Sequence, residues 1–122
     1  MTLESTLIDQ INERIGIFYQ ERRRFPQHDE IAEAIDVNPR TLRRHLRSIG
    51  TSYRKILDKR RIRFAKKMLL STESRIEEIA SQMGFISIGG FIKAFKRWTG
   101  ITPYQYRYNN SSGWHIPSAS AA

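Results

Sequence analysis

The chain has 122 residues, with 21 Lys or Arg against 12 Asp or Glu, so its formal charge at pH 7 is +9. That excess points to a polyanionic partner, commonly nucleic acid and less often an anionic membrane surface. The absence of cysteine excludes disulfides and thiolate metal sites, and no apolar run approaches the ~20 residues that span a bilayer. The N-terminus carries Glu4 and Asp9 without a basic leader, so we expect no signal peptide and a soluble, cytoplasmic protein.

The first predicted helix covers about residues 3–23, because its apolar residues recur with the three-and-four spacing of an amphipathic helix. These residues are Leu7, Ile8, Ile11, Ile15 and Phe18. Phe25 and Pro26 should end it, since the residue before a proline disfavours helical geometry. A short helix over about residues 28–35 follows. The third should open at Asn38, which can accept from orphan N–H groups, and stop at Gly50.

One long helix is predicted over about residues 52–70. Its apolar stripe consists of Tyr53, Ile56, Leu57, Phe64, Ala65, Met68 and Leu69. Beyond it, Ser74 and Glu77 have the spacing of a capping box, in which each side chain accepts from the other residue's backbone N–H. This pattern predicts the start of a fifth helix.

The last predicted helices lie near the C-terminus. One should begin at Ser87 and stop before Gly100, and the capping pattern at Thr102 predicts a short helix over about residues 103–108. Periodicity then ends and the Ser, Ala and Gly content rises, so we expect residues 110–122 to form a disordered tail despite Trp114.

The chain carries one local pattern twice. In each copy an alanine is followed four residues later by a turn position and then an apolar anchor: Ala32, Asp36 and Val37, then Ala80, Gly84 and Phe85. A small residue lets two helices approach closely, and Asp or Gly tolerates left-handed backbone. The two copies therefore predict two helix-turn-helix units, over about residues 28–49 and 75–99.

Positive charge is concentrated between Arg40 and Lys67, where Asp58 is the only acidic residue. A solvated face is the ordinary explanation of isolated Lys and Arg residues, but this many cations repel one another unless an anion is bound. They lie on and just after the helix that a helix-turn-helix inserts into DNA. The candidate DNA-binding residues are Asn38, Arg40, Thr41, Arg43, Arg44 and Arg47, whereas Leu42, His45 or Leu46, and Ile49 should turn inward. We favour Arg40 and Arg44 for bases, because arginine can hold guanine O6 and N7 with two hydrogen bonds.

The second unit is chemically different at the same place. Its candidate DNA-binding residues are Ser87, Ile88, Gly89, Gly90, Lys93, Lys96 and Arg97. Two interpretations of the glycines stay open: tolerance near a helix start, where the penalty of up to about 1 kcal/mol is smaller, or close approach of the helix N-terminus to a phosphate. On the second hypothesis this unit anchors through its cations and reads DNA shape more than bases.

Catalysis has little support, and no cofactor or metal is expected. His28, His45 and His115 lack metal-ligand spacing, and a partly buried packing role is expected for His45. Tyr104, Tyr106 and Tyr108 favour a lid over the core rather than a base-stacking platform. Three classes remain: a sequence-specific transcription factor, a nonspecific nucleoid or RNA-binding module, and a membrane-surface or protein-interaction helix over residues 51–70. The third requires an exposed apolar stripe on the long helix, which we expect to be core.

The second unit contains Ile79-Ala80, Gly84-Phe85, Phe91, the run from Ala94 to Gly100, Thr102-Pro103 and Tyr106-Arg107. Together these segments closely resemble the C-terminal signature of the AraC/XylS family of bacterial transcription regulators. Upstream, the runs from Arg40 to Arg44 and from Gly50 to Tyr53 look like that family's first helix-turn-helix and the start of its linker helix. Ile88, Gly89 and Gly90 depart from the residues usual in the family.

The resemblance covers roughly residues 8–107 and implies an all-α domain over residues 1–109, with two helix-turn-helix subdomains, a long linker helix and about seven helices. It implies sequence-specific promoter binding that activates or represses transcription in the bacterial nucleoid, with double-stranded DNA and RNA polymerase as partners. A helix of about twenty residues is about 30 Å long, close to the roughly 34 Å between major-groove faces one turn apart. One monomer could thus span both grooves, unless a separate N-terminal domain dimerises it. A stand-alone regulator and a fragment both remain possible.

Overall fold

The computed structural model describes residues 3–111, which form seven helices and no strand. The helices are α1 (Leu3–Arg22), α2 (His28–Ala34), α3 (Pro39–Ser48), α4 (Tyr53–Ser71), α5 (Ile76–Gln82), α6 (Ile88–Thr99) and α7 (Pro103–Ser111). The predicted all-α class is confirmed. The chain divides into two compact units, Met1–Arg60 and Arg61–Ala122, and the division falls within α4.

The first unit has a core to which α1, α2, α3 and the start of α4 all contribute. Its buried apolar side chains are Ile11, Ile15, Phe25, Ile31, Ala32, Leu42, Leu46, Tyr53, Ile56 and Leu57. Helix α1 ends because Arg23 adopts left-handed backbone with φ of 59°, not because of the proline that follows. Phe25 and Pro26 are instead buried, so they fill the space that the turning chain encloses.

The second unit has its own core, built on the end of α4 together with α5 and α6. Its buried side chains are Ala65, Leu69, Ile76, Ile79, Ala80, Met83, Phe91, Ala94 and Phe95. The aromatic rings contact one another, with centroids 5.6 Å apart for Phe85 and Phe91 and 5.8 Å apart for Phe91 and Phe95. The apolar stripe predicted for α4 is therefore buried or half-buried in both units, and the helix is not the exposed amphipathic surface that a membrane or protein-interaction role requires.

The two inter-helix turns repeat the same backbone geometry. Asp36 and Gly84 have φ of 57° and 88°, which confirms the left-handed turn expected from the repeated pattern. In each turn the N–H of the next residue donates to the carbonyl of the alanine that lies four residues before the turn position, at 2.9 Å for Ala32 and 3.1 Å for Ala80. Both copies of the pattern thus fold as the same helix-turn-helix.

The start of α5 corrects the predicted capping box. The N-cap is Arg75, whose N–H donates to Oε1 of Glu78 at 3.4 Å, so the box predicted at Ser74 and Glu77 is wrong by one residue. The carbonyl of Ser74 accepts a hydrogen bond from Nη1 of Arg107 at 2.7 Å. A contact from α7 therefore holds Ser74 outside the helix.

Helix α7 is fastened to the end of α4 by one side chain. Arg107 also donates through Nε to the carbonyl of Leu69 at 3.0 Å and through Nη2 to that of Thr72 at 3.2 Å. The last carbonyls of a helix have no partner within it, and a guanidinium supplies several donors in a fixed plane. Arg107 is therefore a structural residue.

The final helix begins as predicted and ends later. The hydroxyl of Thr102 accepts from the N–H of Gln105 at 3.1 Å, and Oε1 of Gln105 accepts from the N–H of Thr102 at 2.9 Å, which completes the capping box. Helix α7 runs to Ser111, three residues beyond the predicted end. The rest of the predicted tail, with Trp114 and His115, lies outside the described residues.

The predicted tyrosine lid is wrong for two of its three members. Tyr106 packs edge-on against Phe95 with ring centroids 5.5 Å apart, as a core lid requires. Tyr104 and Tyr108 are exposed. The two exposed rings are four residues apart on α7, so they share a helix face that turns away from the core.

Candidate nucleic-acid interface

Helix α3 separates its apolar and basic residues onto opposite faces. Leu42 and Leu46 are fully buried. The six predicted DNA-binding residues of this unit are all exposed: Asn38, Arg40, Thr41, Arg43, Arg44 and Arg47. Within residues 3–111, no carboxylate pairs with any of these four arginines. Their charge therefore remains available to an anionic ligand.

His45 does not have the packing role expected from the sequence. Its side chain is exposed, whereas Leu46 is buried and Ile49 is half-buried. At about 100° per residue, position 45 lies about 80° from the midline between Leu42 and Leu46 and so falls outside the buried stripe. His45 belongs to the surface that the arginines occupy.

Asn38 shapes the start of α3. Its side-chain oxygen accepts from the N–H of Arg40 at 2.9 Å and from that of Thr41 at 3.4 Å, and Pro39 occupies the first helical position. This cap satisfies two of the orphan donors at the helix start. The oxygen is therefore engaged within the helix, and contact from Asn38 to DNA would use its amide nitrogen.

Helix α6 presents a different surface. Ser87 caps it, with Oγ accepting from the N–H of Gly90 at 3.2 Å, and Gly100 ends it with φ of 91°. Of the predicted DNA-binding residues, Ser87, Gly89, Gly90, Lys93, Lys96 and Arg97 are exposed and Ile88 is half-buried. The cations therefore follow the glycines along the exposed face.

The protein itself does not require the two glycines. A Cβ atom at Gly89 would lie 4.0 Å from Oγ of Ser87, its nearest neighbour. A Cβ atom at Gly90 would lie 3.5 Å from Oγ of Ser87 and 3.7 Å from Cδ1 of Phe85, which are ordinary contact distances. Alanine would fit at both positions, so their lack of a side chain has no explanation in the packing of this unit.

Most of the basic residues of α4 are exposed, but one of them makes contacts within the protein. Arg54, Lys55, Lys59, Arg63 and Lys67 are exposed. Arg61 instead donates through Nε to the carbonyl of Met83 at 3.1 Å, and its guanidinium carbon lies 4.6 Å from the centre of the Phe85 ring. It therefore braces the turn between α5 and α6. The run of cations around Arg61 in the sequence gave no indication of this role.

A second arginine holds the segment that precedes α2. Nη1 and Nη2 of Arg24 lie 2.9 and 2.7 Å from the two carboxylate oxygens of Glu30, and Oε1 of Glu30 also accepts from the N–H of Gln27 at 2.8 Å. The hydrogen bonds from Arg24 lower the pKa of Glu30 from its ordinary 4.5 to about 2, against the opposing effect of burial. Glu30 is thus a structural anion of the first unit.

The described residues contain no arrangement suited to a membrane span or a metal centre. No helix within residues 3–111 is long and apolar enough to cross a bilayer. Over the same residues, no three His, Cys, Asp or Glu side chains are grouped so that they could hold a metal ion.

Two helix-turn-helix units, each with exposed cations on its second helix, define a DNA-binding regulatory domain. The family described as "Helix-turn-helix domain" matches residues 31–109. The chain belongs to the AraC/XylS family of transcription regulators. The curated relatives that it matches are named as transcription regulators or activators, not as enzymes.

Three comparisons illustrate the relationship. The ornithine utilization regulator of Pseudomonas aeruginosa is 41% identical over 83 residues, which are 68% of this chain and 24% of that protein. The C-terminal domain of the two-component response regulator yesN from Fusobacterium nucleatum is 30% identical with a TM-score of 0.67, covering 84% of this chain and 98% of that one. The DNA-binding domain of AdpA, solved in complex with a target DNA, has the same fold, with a TM-score of 0.66 at 20% identity over 85% of this chain and 95% of that one. The chain spans about a quarter of the length of the curated regulators that it matches.

Proposed function

We propose that this chain binds one class of promoter sequence and regulates its transcription, by inserting α3 and α6 into adjacent major grooves of double-stranded DNA. The observation that carries the proposal is the basic face of α3. Its arginines are exposed and have no carboxylate partner within residues 3–111, while the opposite face of the same helix is buried. A recognition helix needs this division, because one face must pack and the other must reach the bases.

The first helix-turn-helix is proposed to read bases. Arg40 lies in the first turn of α3, where recognition helices contact base edges, and Arg44 follows one turn later on the same face. Each can make a bidentate contact to guanine that is worth about 1 to 3 kcal/mol of discrimination. Arg43 and Thr41 flank this line, and Arg47 continues it one turn further on; all three are assigned to phosphates.

The second helix-turn-helix is proposed to act mainly as an anchor. Lys93, Lys96 and Arg97 supply charge to the phosphates, and open space at Gly89 and Gly90 would let the backbone at the start of α6 approach the duplex. Hydrogen bonds from side chains at positions 89 and 90 are not available to this unit. The two units are therefore unequal in what they contribute to specificity.

The remaining parts of the proposal follow from the family. We assign the chain to the bacterial nucleoid, with RNA polymerase as a partner at its promoters, and expect one monomer to cover one asymmetric site. Because the chain is shorter than its curated relatives, any effector-binding or dimerising segment of the whole protein is outside the proposal.

The test is selection from a random duplex library with the purified chain, followed by affinity measurements on the enriched duplex and a scrambled control at one salt concentration. We expect binding to the enriched duplex at least about a thousandfold tighter than to the control. A nonspecific nucleoid or RNA-binding module would instead give steep salt dependence with nearly equal affinities. That result, or the failure of any motif to enrich, would overturn the proposal.

A paired variant addresses the second unit. Substituting Gly89→Ser with Gly90→Ala should weaken binding to every duplex by a similar factor, because the added side chains keep the α6 backbone from the phosphates. Arg44→Ala is the matched comparison and should relax preference at particular bases. A changed base preference in the glycine variant would contradict the anchoring role.

A further inference from the structure

Ile86 is the most exposed large apolar residue among those that the structure describes. Its relative exposure is 104%, so the side chain touches essentially nothing in its own chain. It lies directly before Ser87, the N-cap of α6. Single exposed apolar residues are common on protein surfaces, so exposure alone indicates no function. The informative observation is the position of Ile86 at the start of α6.

Folding offers no explanation for Ile86. An apolar residue at this position usually packs against the fourth residue of the helix, here Phe91, and so fixes the angle at which the chain enters. In this chain Phe85 makes that contact, with ring centroids 5.6 Å apart. Ile86 is therefore left outside the packed turn, and an apolar side chain is not needed there for the stability of the unit.

The neighbouring positions leave Ile86 prominent at this end of the helix. Gly89 and Gly90 have no side chains, and Ile88 is half-buried. The N-terminal residues of a recognition helix are the ones that meet base edges in the major groove. Lys93 is exposed one turn beyond Gly89, on the face of α6 that the proposed function assigns to the DNA phosphates.

We infer that Ile86 contacts the 5-methyl group of a thymine in the half-site bound by the second helix-turn-helix. The inference rests on the proposed function, since it requires that α6 enter the major groove. The thymine methyl is the apolar group that the major groove displays, and apolar side chains recognise it by contact rather than by hydrogen bonding. The second unit would then combine backbone anchoring with one apolar reading position.

The expected size of the effect follows from the burial of one methyl group. Removing it from the contact should weaken binding about fourfold, which corresponds to about 0.8 kcal/mol. This loss is smaller than the loss expected from a bidentate arginine contact. An alanine substitution alone would also not show whether the loss comes from the thymine methyl group. The methyl group itself has to be varied.

The experiment uses the duplex enriched by the wild-type chain and replaces each thymine in turn by deoxyuridine, which lacks only the methyl group. Affinities are measured by fluorescence anisotropy for the wild-type chain and for Ile86→Ala. The two half-sites are assigned with single-cysteine variants that carry a DNA-cleaving iron chelate at equivalent exposed positions of the two units, Glu33→Cys on α2 and Ser81→Cys on α5. This is practicable because the chain has no cysteine of its own.

The inference predicts at least one thymine in the α6 half-site where deoxyuridine weakens wild-type binding about fourfold and leaves Ile86→Ala unaffected. Ile17→Ala, at an exposed isoleucine of α1, is the matched control and should keep the wild-type sensitivity. Equal sensitivity in wild type and Ile86→Ala would overturn the inference, as would no sensitive thymine in that half-site. Failure of the proposed function is distinguishable, because no duplex would then be enriched.

Discussion

Replacing both Gly89 and Gly90 with alanine should make the protein more stable and a weaker DNA binder. The nearest atoms to the added Cβ atoms are 4.0 and 3.5 Å away, so neither methyl group meets a clash. Alanine is favoured over glycine by up to about 1 kcal/mol in a helix interior and by less near the start. We therefore expect a gain of about 1 kcal/mol for the pair, or roughly 4 to 8 °C in Tm for a unit of this size.

The DNA affinity should move in the opposite direction. Two methyl groups at the start of α6 would hold the backbone away from the phosphate, and losing one charge-assisted hydrogen bond costs about 1.5 kcal/mol or more, which is at least about tenfold in Kd. Thermal unfolding and fluorescence anisotropy on the enriched duplex measure the two changes in one preparation. Ser81→Ala is the control, because it raises helix propensity at an exposed position of α5 and should not weaken binding. A double-alanine variant that binds like wild type would refute the close approach and leave the glycines merely tolerated.

Two further predictions concern arginine and glutamate side chains. Arg61→Ala should lower the free energy of unfolding by about 1 to 2 kcal/mol in urea, because it loses the hydrogen bond to Met83 and the stacking on Phe85. Arg63 is exposed on the same helix, and we expect it to contact a DNA phosphate. Arg63→Ala should therefore stay within about 0.5 kcal/mol of wild type in stability but reduce the slope of log affinity against log salt by about one, and the reverse pattern in the two variants would refute this distinction. Glu30→Gln should cost about 1 kcal/mol at pH 7, a value reduced for solvent screening because the Arg24 and Glu30 side chains are 39% and 32% exposed. Because folding lowers the pKa of Glu30 from 4.5 to about 2, the extra stability of the wild type over Glu30→Gln is present above pH 4.5 and should disappear as the pH falls towards 2. Unfolding curves recorded above pH 4.5 and near pH 2 measure this difference in stability, and a difference that does not change with pH would contradict the prediction.

Local physical rules predicted most of the scaffold. The left-handed turns at Asp36 and Gly84, the cap at Asn38 and the capping box at Thr102 depend on residues within four positions of one another, so a single sequence contains the whole cause. The buried faces of α3 and α6 follow from helical periodicity in the same way. The exposure of the α3 arginines agrees with the sequence-based prediction, while their contacts to DNA stay a prediction.

Two features were missed because a distant contact decides them. Ser74 looked like a helix cap, but Arg107 of α7 holds its carbonyl outside α5. Arg61 falls within the basic run from Arg40 to Lys67, and nothing in that run indicates that the ring of Phe85 lies beside its guanidinium. Neither contact can be inferred from local composition, because the partners lie more than twenty residues apart in the sequence, with whole helices between them. Ile86 was missed for a related reason: periodicity identifies apolar residues that pack, and gives no indication that Phe85 already fills the place.

The most direct test of two unequal DNA-reading units is to run the random-duplex selection in parallel with the wild-type chain and with Arg44→Ala. We expect one asymmetric motif with two blocks about one helical turn apart, in which the block read by α3 is the more selective. That block should lose preference at defined bases in Arg44→Ala, while the other block is retained. A motif with two equally selective blocks that are both unchanged by Arg44→Ala, or no motif at all, would contradict it.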